Sequence, residues 1–358
     1  MIRNWVKSRV AGFLSHTGMD RIVGSLSGAG RVPVVIAYHR VVEDFAYSVE
    51  TSIPSMLVSL RTLERHLDWI GRRFRFVSLD ELGARLVSGP SDESIAAVTF
   101  DDGYRDFYFH AFPLLKRKGI PAAVFVVTDL IGTTRMQTHD KLYLLLTRKF
   151  GLQMKPAEMA GLLRRLGISL AGVNATTPFE ATRLLLEGLP QAGIQQVLGL
   201  LESDVEFAED GLQPFHSLTW DMLTTIRRAG ITVGSHTCTH VLMTNENDHT
   251  LRHEVTGSRE ALEQRLGGPV QHFAYPGGLF NQASVDAVGS AGYQFGYTTC
   301  KHRDARHPVL TVPRNVLWEN SCQDSRGVFS PAMLSCQIHR VFDWTSGCRQ
   351  RHLTSQEA

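Results

Sequence analysis

Apolar runs rich in β-branched residues recur along the chain and alternate with segments whose apolar positions have helical spacing. Runs that indicate buried strands lie at 32–39, 95–100, 120–127, 231–235, 270–275 and 295–299. Helical segments are expected at 55–70, 103–115, 220–229, 249–266 and 283–291. Alternating strands and helices are typical of parallel β/α units. The pattern predicts an α/β fold, which we interpret as an α/β barrel over residues 32–320.

The alternation stops between Gly132 and His216. Leucine-rich segments with helical character lie at 142–146, 162–166 and 184–189. We therefore predict a helical insertion at about 133–216. It would follow the C-terminal end of a strand, where the loops of an α/β barrel build the active site. The insertion is expected to cover or shape a substrate groove.

Composition indicates a globular protein but does not identify a partner. The chain has 358 residues, of which 43% are hydrophobic, so it can fill a large globular core. Its 37 Lys and Arg nearly balance 35 Asp and Glu, and this near-neutral charge predicts no nucleic-acid partner. The five cysteines lack paired short spacings, and their odd number favours a reducing compartment.

The two ends of the chain are treated separately from the main domain. Residues 1–31 form a basic segment with scattered apolar positions and no long apolar run, so no secretory signal or membrane span is expected. Residues 1–23 could form an amphipathic helix on an anionic membrane surface, or a helix packed on the outside of the domain. We expect a cytoplasmic protein, peripheral at the inner membrane face. The tail at 321–358 predicts no element.

Two polar motifs lie where predicted strands end. Thr99–Tyr104 places the adjacent carboxylates of Asp101 and Asp102 at a turn, which could face one cavity or simply cap a helix. In Ser235–His240 two histidines stand four residues apart, and they could present nitrogens to one metal if the residues between them form a helical turn. With one carboxylate they would make a set that leaves positions open for water and substrate.

A third motif, Phe273–Gly278, combines a strand end with Pro and two Gly, and alone it indicates only a tight turn. The three motifs in this order resemble those of the polysaccharide deacetylase family, also called the NodB-homology or carbohydrate esterase 4 family. The similarity covers roughly residues 32–132 and 217–315. Three ordered motifs are far more specific than any one of them.

The resemblance implies a distorted (β/α) barrel of the NodB-homology type that holds a divalent metal, most often Zn²⁺. Asp102, His236 and His240 occupy the positions of the family's metal ligands. Asp101 occupies that of the catalytic base, and the backbone N–H of Tyr104 that of an oxyanion donor. The implied reaction removes N-acetyl groups from amino sugars of a polysaccharide or a glycan precursor and releases acetate.

Two family features are missing from their usual places. The third motif commonly starts with an Arg that orients the catalytic Asp, whereas this chain has Phe273 and Ala274 there. Arg314 at a late strand end could supply that guanidinium, or it could pair with a surface acid. The C-terminal Leu-x-x-His motif is also absent. The segment around His39 resembles the opening strand of permuted members, which assigns the general acid to His39; the alternative is a strand-end His bonded only to backbone.

Cys238 lies between the metal-binding histidines in sequence, at a variable position of the family motif, and is expected to be a small buried residue. Two other functions remain open at this stage. The chain could hydrolyse the C–N bond of a non-sugar amide or cyclic ureide, which the same fold supports in some relatives. It could also be a non-catalytic glycan-binding relative, although both Asp and both metal-binding His are present.

Overall fold

A computed structural model describes residues 2–26, 33–89, 93–170, 174–206, 212–300 and 302–344. The strands are β1 Val34–Tyr38, β2 Arg40–Val42, β3 Leu57–Ser59, β4 Arg75–Phe76, β5 Ile95–Phe100, β6 Ala122–Val126, β7 Thr232–Ser235, β8 His272–Ala274, β9 Phe295–Thr298, β10 Val312–Pro313 and β11 Asn315–Val316. The first seven helices are α1 Ile2–Thr17, α2 Met19–Leu26, α3 Phe45–Ser48, α4 Leu60–Gly71, α5 Leu79–Ser88, α6 Phe112–Lys118 and α7 Thr138–Phe150. The others are α8 Pro156–Arg165, α9 Pro178–Gly188, α10 Gln191–Asp204, α11 Trp220–Arg228, α12 Asp248–Leu266, α13 Gln282–Ser290 and α14 Pro331–Ile338.

The main sheet is a nearly closed parallel barrel. Its strands follow the order β10-β9-β8-β7-β6-β5-β1-β11, and β4 pairs with the start of β5. Strands β10 and β11 are separated only by Arg314, so one extended segment pairs first with β9 and then with β1. The barrel therefore closes at the point where this segment changes partner, and that point is Arg314.

The barrel strands are buried on both faces, which explains their nearly continuous apolar sequence. Alternate strand positions such as Ala97, Phe125 and Tyr297 form one cluster inside the barrel. The opposite positions, such as Val98 and Val124, pack against the surrounding helices in a larger cluster. Because both clusters consist of apolar residues, the polar residues of the motifs lie outside them, at the carboxyl ends of the strands.

Two predicted helices differ from the structure. The helix expected over 103–115 begins with a π-helical segment, Phe107–Ala111, and continues as α6 to Lys118. A helix was expected over 55–70, but α4 begins at Leu60, and Leu57–Ser59 forms β3 in a separate two-stranded sheet with β2. Leu57 and Val58 are both buried, a pattern that a strand between two packed layers satisfies. Ser59 then caps α4 by accepting a hydrogen bond from the Thr62 N–H.

Helices α7 to α10 lie between β6 and β7, in the stretch predicted as an insertion. They pack around a leucine-rich core of their own, which includes Leu145, Leu162, Leu185 and Leu198. This core explains why the leucines lack the strand and helix rhythm of the barrel. The insertion begins after the C-terminal end of β6, so it stands on the same side as the motif residues.

The ends of the described chain pack together on the outside of the domain. Ala11 of α1 lies in one apolar cluster with Met333 and Cys336 of α14. The Ser335 hydroxyl donates a hydrogen bond to the Asp20 carboxylate. The tail, for which no element was predicted, thus contributes a helix that holds the N-terminal segment. Within the described residues, no helix is both long and apolar enough to cross a membrane.

Candidate metal centre and active site

Asp102, His236 and His240 converge at one point on the carboxyl-terminal side of the barrel. Their ligand atoms all lie within 4.8 Å of one another. Oδ1 of Asp102 is 3.5 Å from Nε2 of His236 and 3.1 Å from Nε2 of His240. Two ligands about 2.1 Å from a tetrahedral Zn²⁺ lie about 3.4 Å apart. The spacing of these atoms therefore fits a shared divalent ion.

The surroundings of the three side chains also suit a metal. Asp102 is buried, and neither of its carboxylate oxygens has a hydrogen-bond partner among the described residues. Nδ1 of His236 lies 2.7 Å from the Ala274 carbonyl oxygen, to which it must donate, so its Nε2 lone pair faces Asp102. Burial, together with nearby His240, lowers the pKa of His236 to about 4 and keeps the imidazole neutral, as a ligand requires.

The metal loop, His236–His240, is not the helical turn that the spacing of its two histidines suggested. Thr237 has φ 67° and His240 has φ 62°, so the backbone is twice left-handed between β7 and the next turn. The buried Glu254 carboxylate of α12 holds this loop. It accepts hydrogen bonds from the N–H groups of Cys238 and Thr239, each at 2.9 Å, and from the Thr239 hydroxyl at 2.7 Å.

Asp101 is paired with Arg314, the residue at which the barrel closes. The guanidinium donates to both carboxylate oxygens, with Nη1 2.6 Å from Oδ1 and Nη2 2.7 Å from Oδ2. Both side chains are buried. Burial alone would raise the pKa of Asp101, but Arg314, with His236 nearby, holds that pKa below its ordinary value. Asp101 is therefore a carboxylate of fixed orientation beside the metal site.

Backbone conformation explains how two adjacent carboxylates serve one site. Asp102 has φ 69° and Gly103 has φ 69°, so the chain turns sharply as it leaves β5. A Cβ at Gly103 would lie 2.9 Å from Cγ1 of Val126, which only glycine avoids. The left-handed turn breaks the alternation of strand side chains and brings Asp102 toward the histidines.

His39 lies directly after β1 and lines a cavity of about 210 Å³ together with Asp102, His236 and His240. Its Nδ1 is buried and has no hydrogen-bond partner among the described residues. The alternative of a histidine bonded to backbone is thus not what the structure shows for this nitrogen. The structure brings His39 to the predicted site, and its role as an acid stays a prediction.

Tyr104 was predicted only as a backbone oxyanion donor, and that role stays a prediction. The residue lies opposite Ser217 in an antiparallel bridge whose hydrogen bonds come from Leu218 and Arg105, so its own N–H points away from that segment. Its side chain is buried and turns toward the insertion. The hydroxyl donates to Asp140 at 2.5 Å and lies 2.8 Å from Nε2 of His139.

Sequence reasoning missed His139 and Asp140, which stand at the start of α7. The Tyr104 proton goes to Asp140, so Nε2 of His139 must donate to the Tyr104 oxygen, and this nitrogen offers no lone pair to a metal. The same nitrogen is 3.8 Å from Oδ2 of Asp102. Gln137 just before them donates to the Asp102 carbonyl at 2.8 Å. No local pattern marks these residues, because their partners lie about 35 positions earlier.

Two other motif residues, Gly278 and Cys238, are buried. In the third motif Gly278 has φ 69°, and a Cβ there would lie 2.0 Å from Oγ1 of Thr299. Cys238 is buried, and burial with Glu254 nearby raises the pKa of its thiol to about 12. This residue agrees with the expectation of a small buried side chain. The four described cysteines are free thiols.

The sequence profile of the polysaccharide deacetylases matches residues 88–296. The chain belongs to this family. The match spans the paired Asp, the metal-loop histidines and the third motif. The match confirms the family predicted from the three motifs.

Solved structures of the family share the fold. Streptococcus pyogenes deacetylase PplD, in complex with acetate, superposes with a TM-score of 0.54 at 16% identity and covers 86% of this chain and 98% of its own. IcaB from Ammonifex degensii gives a TM-score of 0.52 at 18% identity over 86% and 97% of the two chains. These likenesses confirm the predicted barrel.

Among curated proteins, a polysaccharide deacetylase homologue, YxkH of Bacillus subtilis (strain 168), is 20% identical over 248 residues. The alignment covers 68% of this chain and 60% of YxkH. The chain therefore spans less than two thirds of the length of this relative.

Proposed function

We propose that the chain hydrolyses N-acetyl groups of amino sugars in a glycan and releases acetate, with a divalent metal, most readily Zn²⁺, held by Asp102, His236 and His240. One observation carries this proposal. A single cavity brings together three ligand atoms spaced for one ion and the imidazole of His39, whose Nδ1 has no hydrogen-bond partner among the described residues, and a carboxylate fixed by Arg314 lies beside it.

Each residue has a separate task in this reaction. When bound, the metal lowers the pKa of water and polarises the acetamide carbonyl. Asp101 accepts the proton of the attacking water, since Arg314 keeps it ionised. The Tyr104 N–H stabilises the charge that develops on the carbonyl oxygen. His39 gives a proton to the amide nitrogen, so that an amine leaves instead of an amide anion.

One relative and the family match support the substrate class. PplD is named as a deacetylase and was solved with acetate, the product expected from the proposed reaction. The match to the polysaccharide deacetylase profile points to an acetylated glycan as the substrate. Neither observation selects a sugar or linkage, so the proposal is limited to N-acetylated amino sugars.

An acetate-release screen tests the proposal. The protein, stripped of metal and then reloaded with Zn²⁺, would be incubated with N-acetylated oligosaccharides and, separately, with small cyclic amides. Metal-dependent acetate release from at least one glycan is expected. Hydrolysis of cyclic amides without any glycan activity would replace the proposal with the non-sugar reaction, and binding without turnover would indicate a non-catalytic relative.

We also propose that the protein works in the cytoplasm, peripherally at the inner membrane face. Val10, Phe13 and Ile22 of the N-terminal helices are apolar side chains exposed at 46%, 63% and 59%. Lys7 and Arg9 add positive charge on the same helix, which suits an anionic lipid surface.

A further inference from the structure

The metal cavity has a wall that does not come from the barrel. Besides His39 and the metal ligands, it is lined by side chains of α9 in the insertion. The cavity measures about 210 Å³. Pockets for drug-sized ligands measure roughly 300–1,000 Å³. The space next to the metal therefore suits one sugar residue, and α9 is the element placed to contact it.

Helix α9 presents one face to its own core and another to the cavity. Ala181 and Leu185 are buried in the core of the insertion. The cavity-lining residues of α9 are Phe179, Thr182, Arg183, Leu186 and Glu187. They follow the spacing i, i+3, i+4, i+7 and i+8, which lies along one side of a helix. Helix α9 therefore has a second face, of which only Leu186 also packs against the core of the insertion.

The helix is tied to the loop that follows the metal-binding histidines. Nδ2 of Asn245 donates to the Leu186 carbonyl at 2.9 Å and to the Leu189 carbonyl at 3.1 Å. The Glu246 carboxylate accepts from the Gln191 N–H at 2.6 Å. These bonds fix the C-terminal end of α9 relative to His240. A ligand held by α9 would thus be held at a defined distance from the metal.

The side chains on this face combine an aromatic ring with hydrogen-bonding groups, the chemistry that sugar binding requires. Phe179 is 40% exposed and offers an aromatic face to the apolar C–H side of a pyranose ring. Arg183 and Glu187 form an ion pair at 3.1 Å with partly exposed ends, which supplies donors and acceptors for vicinal hydroxyls. Thr182 is buried, and its Oγ1 has no hydrogen-bond partner among the described residues.

We propose that this face of α9 is a sugar-binding subsite that sets which N-acetylated glycan reaches the metal, with Phe179 stacking on the ring and Arg183 and Glu187 binding its hydroxyls. The proposal rests on the deacetylase function proposed above. It assigns the helical insertion to substrate selection, while the barrel residues carry the reaction.

The test measures KM and kcat of Phe179→Ala and Arg183→Gln with an N-acetylated oligosaccharide and with vinyl acetate, which has neither a ring to stack on Phe179 nor hydroxyls to bind Arg183. Loss of one stacking or hydrogen-bonding contact should raise KM for the oligosaccharide about 3- to 10-fold, mainly without loss of kcat. The change with vinyl acetate should be several-fold smaller. Phe179→Trp, which keeps an aromatic face, should restore most of the affinity.

Matched controls use residues outside the cavity. Phe109→Ala removes an exposed phenyl elsewhere, and Arg165→Gln breaks the exposed ion pair with Asp204 in the same insertion. Both should behave as wild type. An unchanged KM for every glycan, or equal losses with both substrates, would overturn the subsite and leave the deacetylase function intact. A wild-type protein that releases acetate from no glycan would overturn the proposed function, and the subsite with it.

Discussion

Asp101 and Asp102 are neighbours in sequence, yet their side chains have opposite surroundings. Both oxygens of Asp101 accept hydrogen bonds from Arg314, whereas neither oxygen of Asp102 has a hydrogen-bond partner among the described residues, although His236 and His240 lie close to it. A buried carboxylate without a partner is costly unless an ion binds it. This contrast supports the proposal that Asp102 holds the metal and Asp101 transfers the proton.

His39→Ala tests the general acid. The variant should fold and bind metal normally, because His39 is not among the ligands, but it should cleave an unactivated acetamide roughly 10²–10⁴ times more slowly. An aryl acetate should lose much less activity, since its leaving group departs without a proton. Steady-state rates with both substrates decide between the roles: equal losses would make His39 structural, and no loss would remove it from the mechanism.

For single residues, the sequence predicts those of the motifs but not the residues that hold them in place. Asp102, His236 and His240 stand in recognisable patterns, and the structure places them together. His139 and Glu254 have no local signature, because each acts on a residue that only the fold brings near. Their identification required knowledge of which elements pack together.

Among the elements, the metal loop depends on α12 for its shape. Glu254 satisfies two N–H groups and one hydroxyl of a loop with two left-handed residues, so its removal leaves buried donors unpaired. Supporting residues of this kind typically change metal affinity about 10- to 100-fold. Glu254→Ala should weaken metal binding by such a factor, measured by competition with a chelator. Glu260→Gln, an exposed change on the same helix, should leave affinity unaltered.

Helix α4 carries a buried histidine that makes stability depend on pH. Burial lowers the pKa of His66 to about 4, below its ordinary 6.5, so the unfolded chain binds the proton more readily between these values. This contribution to stability is present above pH 6.5 and is lost as pH falls toward 4. Between pH 7 and 5 the free energy of unfolding should fall by about 2 kcal/mol more in wild type than in His66→Phe.

Urea unfolding at the two pH values measures this difference. His249→Phe, a change at an exposed histidine, should keep the wild-type dependence. An identical pH dependence in wild type and His66→Phe would show that His66 titrates normally in the folded protein.

Periodicity predicted the longer elements well. It failed where contacts between residues distant in sequence determine the backbone conformation. Helices α11, α12 and α13 and strands β5 to β9 lie close to their predicted positions because their apolar patterns are strong. Leu57–Ser59 fits a helical pattern but pairs with β2, and the metal loop replaces a helical turn with left-handed residues. Pairing with a distant strand leaves no mark in a local window.

For the whole molecule, the barrel was predicted from the sequence, but the strands that close it were not. Strands β10 and β11 have two residues each and show no period. Their pairing with β9 and β1 positions Arg314 against Asp101, the residue that follows β5. The last strands of the barrel therefore supply a residue of the site at the end of β5. The sequence suggested Arg314 only by its position after a late strand.

The N-terminal helices give a prediction for the intact protein. Phe13→Ser with Ile22→Ser should reduce sedimentation with vesicles that contain anionic lipid, because two exposed apolar contacts are removed. Val87→Ser, at an equally exposed apolar position on α5, is the matched control and should sediment as wild type. Binding that is absent in wild type, or unchanged in the double variant, would contradict peripheral attachment through α1 and α2.

The most direct test of the account is the metal content of three purified proteins, measured together with acetate release. Wild type should carry about one divalent ion per chain, and His236→Ala should lose it together with activity. Asp101→Asn should retain the ion and lose most turnover, because this carboxylate moves a proton and does not hold the metal. Full metal occupancy in His236→Ala, or near wild-type turnover in Asp101→Asn, would contradict the assignment of the site.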